Sequence, residues 1–319
     1  MRRWLVAATC SVLLTACAVP HGRDDLGLDK SAARESEVTA VFDHYREVRS
    51  SAIALLDPKP LSTVEGPVTL AIDSGSFEVA QKASRQEKAD TGRADVVDVL
   101  TPRFSRYPLW FGAVVHEPAT NVNRVQIFER SSSVDPWLLT ASPETLADTD
   151  LPEVRERDGA AVRVAADDGT GVAMSPQDAA AAYAAALTDP EAPDAAKVED
   201  DSFITQMRST AATNAALPDV SFSQSWEADD ISYALRTADG GVLAFVTFVR
   251  QDTYTVKPGL TVTWPEGSPQ QAFLSSGISG SGQVTYYHQV LLHLPGGDEK
   301  PRALGQYGGV VSGEADGTQ

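Results

Sequence analysis

The apolar and polar positions in the first third of the chain change period part-way, from a helical to a strand-like pattern. Apolar residues first recur at three- and four-residue steps, which predicts one amphipathic helix. They are Val38, Val41, Phe42, Tyr45, Val48, Ala52 and Leu55. Asp57 precedes Pro58 and ends this helix, because a residue before proline avoids the helical conformation. A second helix is predicted from about Asp73, and short runs rich in Val, Ile, Phe and Trp then predict strands.

The same order of patterns returns in the last part of the chain. The stretch SPQDAAAAYAAALTDP predicts a helix with Ser175 as its N-cap and Pro176 as its first residue. A second helix is predicted in DDSFITQMRSTAATNAA, and several strand-like runs follow, with a hairpin turn at residues 238–241. We therefore predict an α+β fold of two tandem domains, each with N-terminal helices packed on a curved, mainly antiparallel sheet.

Composition and turn residues set the expected boundaries between segments. The segments are a signal peptide at 1–16, a flexible tether at 17–36, domain 1 at 37–143, an acidic linker at 144–175, domain 2 at 176–311 and a disordered tail at 312–319. The tether and the tail are polar and have no apolar period. Within the linker, Asp168 and Gly169 predict the turn of a small hairpin.

After Met1, two arginines precede an uncharged, mostly apolar run. This order is typical of a secretory signal peptide, and the run is shorter than the about 20 residues that a membrane-spanning helix needs. The last residues of the run resemble the bacterial lipobox, in which a branched apolar residue and two small residues precede a cysteine. They are Leu14, Thr15 and Ala16, followed by Cys17. The resemblance implies cleavage between Ala16 and Cys17, acylation of Cys17, and a cell-membrane protein on the extracytoplasmic face.

Cysteine usage and charge exclude several classes of function. The chain has two cysteines, Cys10 and Cys17, so the cleaved and acylated protein would have no free thiol and no disulfide. Cysteine nucleophiles and thiolate metal sites are then excluded. The formal net charge of −18 repels nucleic acid, which we do not expect as a partner.

Two features carry a resemblance to known families. The plan of helices before a bent sheet, with aromatic residues on the first helix and first long strand, resembles NTF2-like (cystatin-like) cone folds. The string RFSRYPLWFGAVV…VQIFERSSSVDPWLLTASPE is similar to a group of uncharacterised actinobacterial lipoproteins, and the alanine-rich, lysine-poor composition fits such a source. The resemblance implies the fold but no activity, since this fold class hosts enzymes, carriers and scaffolds.

Candidate chemistry is sparse. No histidine or carboxylate cluster has metal-ligand spacing, and His288 and His293, five apart on one predicted strand, point to opposite faces. We expect no metal, no cofactor and no assigned catalytic residue. An enzymatic alternative remains, in which side chains inside a cup transfer a proton. Its candidates are Tyr45, His44, Asp73 and His116 in the first unit, and Tyr183, Tyr233 and Tyr286 in the second.

The expected function is a non-catalytic binding or scaffold module of the cell envelope, held to the membrane through lipidated Cys17. Its partner would be an envelope protein or a small apolar ligand. The residues that could form a pocket are Tyr45, Asp73, Trp110 and Tyr286, although a core position is favoured for Trp110. The alternatives are small-molecule binding in an NTF2-like cup and an envelope isomerase or hydrolase. An open cup lined by polar groups would favour these alternatives, and cups filled by their own aromatic residues would favour a scaffold.

Overall fold

The computed structural model describes residues 30–83, 94–146 and 148–316, so the predicted signal peptide, the lipobox and Cys17 lie outside the described residues. The helices are α1 (Glu35–Leu55), α2 (Pro67–Lys82), α3 (Pro176–Thr188), α4 (Ser202–Ala215) and α5 (Pro269–Phe273). The strands before α3 are β1 (Lys30–Ser31), β2 (Asp95–Leu100), β3 (Arg103–Phe104), β4 (Leu109–Glu117), β5 (Val122–Arg130), β6 (Leu138–Ala141), β7 (Glu144–Leu146), β8 (Glu156–Arg157) and β9 (Ala160–Ala161). The later strands are β10 (Val220–Ala228), β11 (Tyr233–Arg236), β12 (Val242–Val256), β13 (Ser281–Leu294) and β14 (Arg302–Ala315).

The helix ends follow the capping residues in the sequence. The Ser175 side chain accepts a hydrogen bond from the backbone N–H of Asp178 at the start of α3, and Asp201 caps α4 in the same way. Helix α1 ends where Leu56 adopts a left-handed conformation with φ of 48°. Helix α2 begins at Pro67, earlier than the predicted Asp73, because proline fits the first helical position, where no N–H is needed.

Ten strands of the described residues share one curled, antiparallel sheet. Their order is β10-β12-β13-β14-β7-β5-β4-β2, with β11 paired to β12 and β6 paired to β5. The strands of the two halves of the chain meet at β14 and β7, where Gln306 pairs with Glu144. This seam needs two glycines, since a Cβ on Gly305 would collide with the Glu144 carbonyl and one on Gly75 of α2 with that of Val310.

Strand β12 separates two hydrophobic cores. Leu243 and Phe245 belong to the core that α1 covers, whereas Ala244, Val246 and Phe248 belong to the core under α3 and α4. Successive side chains of a strand point to opposite faces, so this part of the sheet is covered on both sides. The fold is therefore a mixed α+β architecture in which the halves share strands and core.

Both predicted terminal segments are partly ordered into the fold. Lys30 and Ser31, expected in the tether, pair with β3, and Ala32 and Ala33 after them are buried. At the other end, β14 continues to Ala315 and pairs with β13, so the first residues of the predicted tail belong to the sheet.

The hairpin predicted in the acidic segment lies about ten residues earlier than expected. It joins β8 and β9 through Asp158 and Gly159, which have φ of 53° and 68°. A two-residue turn with both φ values positive matches the twist of a hairpin. At the predicted site, the Asp168 side chain instead accepts a hydrogen bond from the backbone N–H of Thr170, which forms a local turn without flanking strands.

Candidate functional site

A cavity of about 650 Å³ lies in the first half of the chain, between α1 and the strands β1, β2, β4 and β5. We call it the cup. Its walls are mainly apolar and include Val38 and Phe42 of α1, Val96 and Val99 of β2, and Val115 of β4. The volume falls within the range of about 300–1,000 Å³ that is usual for small-molecule sites.

Polar side chains line one region of the cup. Tyr45 and Arg49 lie four residues apart on α1, so they share one face of the helix. Glu117 of β4 and Arg124 and Gln126 of β5 face the same space from the sheet. The cup thus combines apolar walls with a small set of hydrogen-bonding groups.

Arg49 connects the cup to a buried polar cluster. Its Nη1 donates to the Tyr45 hydroxyl and to Glu65 Oε1, both at 3.3 Å, and forms an ion pair with Asp73. The Arg49 side chain is 19 % exposed, whereas those of Glu65 and Asp73 are 0 % and 2 % exposed. Tyr307 of β14 donates a hydrogen bond to Asp73, so a strand of the second half completes the cluster.

The two buried carboxyl groups of this cluster differ in charge. Burial, followed by the proximity of Asp73, raises the pKa of Glu65 to about 9. Burial also acts to raise the pKa of Asp73, but Arg49 and hydrogen bonds from Glu65 and Tyr307 outweigh it and lower that pKa. At neutral pH Glu65 is therefore protonated and Asp73 ionised, and both lie behind Arg49 rather than among the residues that line the cup.

A second arginine of the cup is held by two carboxylates. Arg124 Nε and Nη2 lie 2.5 Å from Glu117 Oε1 and Glu144 Oε1, and its guanidinium lies over the Tyr307 ring at 5.3 Å. Burial raises the pKa of Glu144 from its ordinary value. Glu144 belongs to β7 at the seam, so this contact also ties the cup to the joint between the halves.

Of the predicted pocket residues in the first half, one lines the cup and two do not. Tyr45 lines the cup, whereas Asp73 lies behind it and contacts the lining residue Arg49. Trp110 is 4 % exposed and packs edge-on against Phe104 and Tyr233, with ring centroids 5.8 and 5.5 Å away. It is a core residue between the halves and does not line the cup.

Tyr286, the fourth predicted pocket residue, lies in the second half. The Arg250 guanidinium lies 4.2 Å from its ring centroid, and its hydroxyl accepts a hydrogen bond from Gln270 Nε2 at 3.0 Å. Its side chain belongs to a separate small core with Tyr254 and Ile278. The structure therefore does not bring Tyr286 together with Tyr45 and Asp73.

The remaining candidates for proton transfer are dispersed. His44 is exposed on α1, and His116 contacts Asn123 Oδ1 at 3.0 Å. The Tyr183 hydroxyl donates to Asp201 at 2.7 Å, and the Tyr233 hydroxyl donates to Glu129 at 2.8 Å. Within residues 30–83, 94–146 and 148–316, no three His, Cys, Asp or Glu side chains are grouped so as to hold a metal ion.

In the second half, the space under α3 and α4 is filled by aromatic side chains. They are Tyr183, Phe203, Trp226, Phe248 and His288, with neighbouring ring centroids 5.0 to 6.5 Å apart. Of these side chains, Tyr183 and Phe248 have no exposed surface. This half has the aromatic interior that a structural role requires.

Sequence reasoning missed three residues of the polar cluster. Arg49 borders the apolar stripe of α1, where an arginine usually faces solvent, although its four-residue spacing from Tyr45 was a usable signal. Glu65 lies in a short connection between helices, and Tyr307 lies in a glycine-rich strand far along the chain. Their proximity depends on long-range packing that no local pattern carries.

Comparison with known families supports a single unit that spans both halves. Residues 30–315 match the model of a family described as a domain of unknown function (DUF8094). The chain belongs to this family. The match runs from the first residue of β1 to the last residue of β14, so the DUF8094 unit includes the cup, the seam and the packed second half.

A similar protein supports the predicted resemblance to lipoproteins. An uncharacterized lipoprotein of Streptomyces avermitilis is 29 % identical over 273 residues, which cover 81 % of this chain and 77 % of the relative. The similarity indicates a lipoprotein of unknown function. No solved structure matches the chain, and tandem NTF2-like domains stay a prediction. In the described part of the chain, no helix has the length and apolar character needed to cross a membrane.

Proposed function

We propose that this DUF8094 protein is a lipoprotein anchored through Cys17 to the extracytoplasmic face of the cell membrane, and that its cup binds a small, mainly apolar molecule. The observation that carries the binding proposal is the open cavity of about 650 Å³ with valine walls and the Tyr45–Arg49 pair. Anchoring is supported by the lipobox-like sequence before Cys17 and by the lipoprotein relative. Two acyl chains hold a protein firmly on a bilayer, since each buried methylene contributes about 0.8 kcal/mol.

The rim of the cup lies close to the proposed anchor along the chain. Ser31, Ala33 and Arg34 line the cup, and Cys17 precedes Lys30 by a short segment. At about 3.5 Å per residue, that segment spans at most about 45 Å. An acylated Cys17 would therefore keep the cup near the bilayer.

Binding explains the cup better than catalysis does. Burial raises the pKa of Tyr45, so its hydroxyl stays protonated and donates to Glu65. Arg49 stays charged, because the surrounding oxygens outweigh burial and raise its pKa. Groups with fixed protonation can orient a ligand, whereas general acid–base catalysis needs a pKa near the working pH.

We also propose that both halves share an NTF2-like plan, of which the first keeps an open cup. In each half two helices precede an antiparallel set of strands, α1 and α2 before β2–β7 and α3 and α4 before β10–β14. Superposing the two halves in an experimentally determined structure tests this proposal. Helices that cross the strands in unrelated directions would contradict it.

Removing the acylated residue tests the anchor. The variant Cys17→Ser should lose metabolic labelling by a palmitate analogue and move from the membrane fraction to the medium. Labelling and membrane association retained without Cys17 would show that the lipobox interpretation is wrong.

Filling the cup tests binding. Val99 lines the cup, whereas Val97 on the same strand is 64 % exposed and does not. We expect the Cys17→Ser chain to bind the uncharged dye Nile red with a rise in fluorescence. Adding Val99→Trp should abolish that rise, and adding Val97→Trp should preserve it. Equal binding by both tryptophan variants would show that the dye does not occupy the cup.

A further inference from the structure

The polar region of the cup offers hydrogen-bond donors that the protein leaves unused. Arg49 donates hydrogen bonds to Tyr45, Glu65 and Asp73 through the same atom, Nη1. Within the described part of the chain, Nε and Nη2 of this residue donate none, while its side chain is 19 % exposed and lines the cavity. A guanidinium edge with unused donors in a mainly apolar cavity can bind an acceptor oxygen of a ligand.

The charges around this region leave no excess for an anion. Two guanidinium groups, those of Arg49 and Arg124, contact four carboxyl groups, of which Glu65 is protonated at neutral pH. The other three are Asp73, Glu117 and Glu144. A ligand carboxylate would approach these like charges, which is unfavourable in a partly buried site. A ligand cation would have to displace one of the arginines from a carboxylate.

At the rim the charges are also balanced. Arg46 pairs with Asp43, with Nη2 and Oδ1 2.5 Å apart, and both residues line the cup. The apolar surface between rim and polar region comes from Val38, Phe42 and Val99. A ligand that matches this surface has a long apolar body and a neutral polar end.

We propose that the cup takes an uncharged amphiphile, whose apolar body lies against Val38, Phe42 and Val99 and whose carbonyl, ester or hydroxyl oxygen accepts a hydrogen bond from Arg49. This inference rests on the proposed function, because it names the class of ligand for the same cup. It separates the protein from carriers of fatty acids and other anionic lipids, which need an unmatched cation.

The charge of the ligand is tested with three compounds of equal chain length. Nile red bound to the Cys17→Ser full chain is displaced by 2-undecanone, by undecanoate or by undecyltrimethylammonium, each below its micelle concentration. We expect the ketone to displace the dye at a concentration at least about tenfold lower than either ion. Displacement by undecanoate at an equal or lower concentration would overturn the inference. Failure of Nile red to bind would instead contradict the proposed function.

The role of Arg49 is tested with a charge-conserving variant. Arg49→Lys keeps a cation beside Asp73 but removes the planar guanidinium donors. Losing one hydrogen bond of about 1 kcal/mol corresponds to about a fivefold weaker affinity for 2-undecanone. Arg208→Lys on α4 is the matched control, because Arg208 pairs with Asp200 and does not line the cup, and it should change this affinity less than twofold. Unchanged affinity in Arg49→Lys would overturn the proposed contact. If this variant fails to fold, the ligand class is still tested by the displacing concentrations of 2-undecanone and undecanoate in the parent chain.

The natural ligand could come from the bilayer or from the surrounding medium. Mass spectrometry of organic extracts compares the acylated protein with Cys17→Ser, both purified from a bacterial host that acylates lipoproteins. A neutral amphiphile that co-purifies with the acylated form alone would indicate that the ligand comes from the membrane. One that co-purifies with both forms would indicate a soluble source. Extracts dominated by fatty acids or phospholipids would contradict the inference.

Discussion

The two halves follow the same order of helices and strands. They differ in what occupies the space between the helices and the sheet. In the first half, α1 and the sheet enclose the cup behind valine side chains such as Val99 and Val115. In the second half the space under α3 and α4 holds the rings of Tyr183, Trp226 and Phe248. We infer from this difference that the size of a few facing side chains decides whether a cavity stays open between the helices and the sheet.

The helices contribute to this difference. Helix α3 presents a face of alanines, of which Ala179, Ala180 and Ala186 have no exposed surface, so it approaches the strands closely. Helix α1 instead packs on the sheet through aromatic residues, since Phe42 and Tyr45 both contact the ring of Phe128. Large side chains on one part of its face hold the rest of the helix away from the strands, which leaves room for the cup.

The largest expected effect is the loss of stability when one phenylalanine in each half is truncated to alanine. Phe248 is fully buried, so Phe248→Ala should cost about 3–5 kcal/mol of unfolding free energy. Phe42 already borders the cup on one side, so Phe42→Ala should cost at least about 1 kcal/mol less. Urea denaturation of both variants measures the difference.

An exposed leucine serves as the control for this pair. Leu260 is 45 % exposed, and Leu260→Ala should stay within about 0.5 kcal/mol of the parent. Equal losses for Phe42→Ala and Phe248→Ala would show that the cup is closed in solution.

The next comparison concerns the two buried ion pairs. Arg250 and Asp252 in the second half are 5 % and 0 % exposed, so Asp252→Asn, which leaves a buried cation, should cost about 3–5 kcal/mol. Asp73→Asn should cost less, about 2 kcal/mol, because Arg49 keeps contact with the cup and Glu65 lies ready to ionise in place of Asp73. Chemical denaturation at neutral pH measures both. A larger loss for Asp73→Asn than for Asp252→Asn would refute this ranking.

The first half should also show a dependence of stability on pH. The pKa of Glu65 is about 9 in the folded protein, raised by burial and by Asp73, and ordinary when unfolded. Between these values the folded state holds the extra proton, so its stability falls as pH rises, by up to about 1.4 kcal/mol per pH unit. Glu65→Gln mimics the protonated acid and avoids this loss. Its melting temperature relative to the parent should therefore rise between pH 6 and pH 8.5.

Glu78→Gln gives the matched control for this pH series. Glu78 lies on α2 with its side chain 41 % exposed and paired with Lys82. Its melting temperature relative to the parent should stay constant over the same range. A constant difference for Glu65→Gln as well would mean that Glu65 is ionised in the folded protein.

Local sequence patterns predicted most of the secondary structure. The stripe from Val38 to Leu55 predicted α1, and Ser175 with Pro176 predicted the start of α3. The sheet shared by both halves was beyond such patterns, because the pairing of Gln306 with Glu144 joins residues far apart in sequence. Strand β14 is rich in glycine, and its alternation of side chains is therefore weak.

The candidate site was predicted only in part. Tyr45 has an apolar stripe around it and a polar end, so its position on the cup could be expected. Arg49, Glu65 and Tyr307 come from a helix, a connection and a distant strand, and only folding brings them to Asp73. Large aromatic residues such as Trp110 fit both a pocket and a core, and composition cannot distinguish the two positions.

The close packing of Gly75 and Gly305 restricts how this sequence can change during evolution. Every single-codon replacement of Gly75 or Gly305 adds at least a Cβ where a neighbouring backbone carbonyl already lies. Valines that line the cup can therefore be exchanged more freely than these two glycines. We expect relatives of this family to retain both glycines even where the residues that line the cup differ.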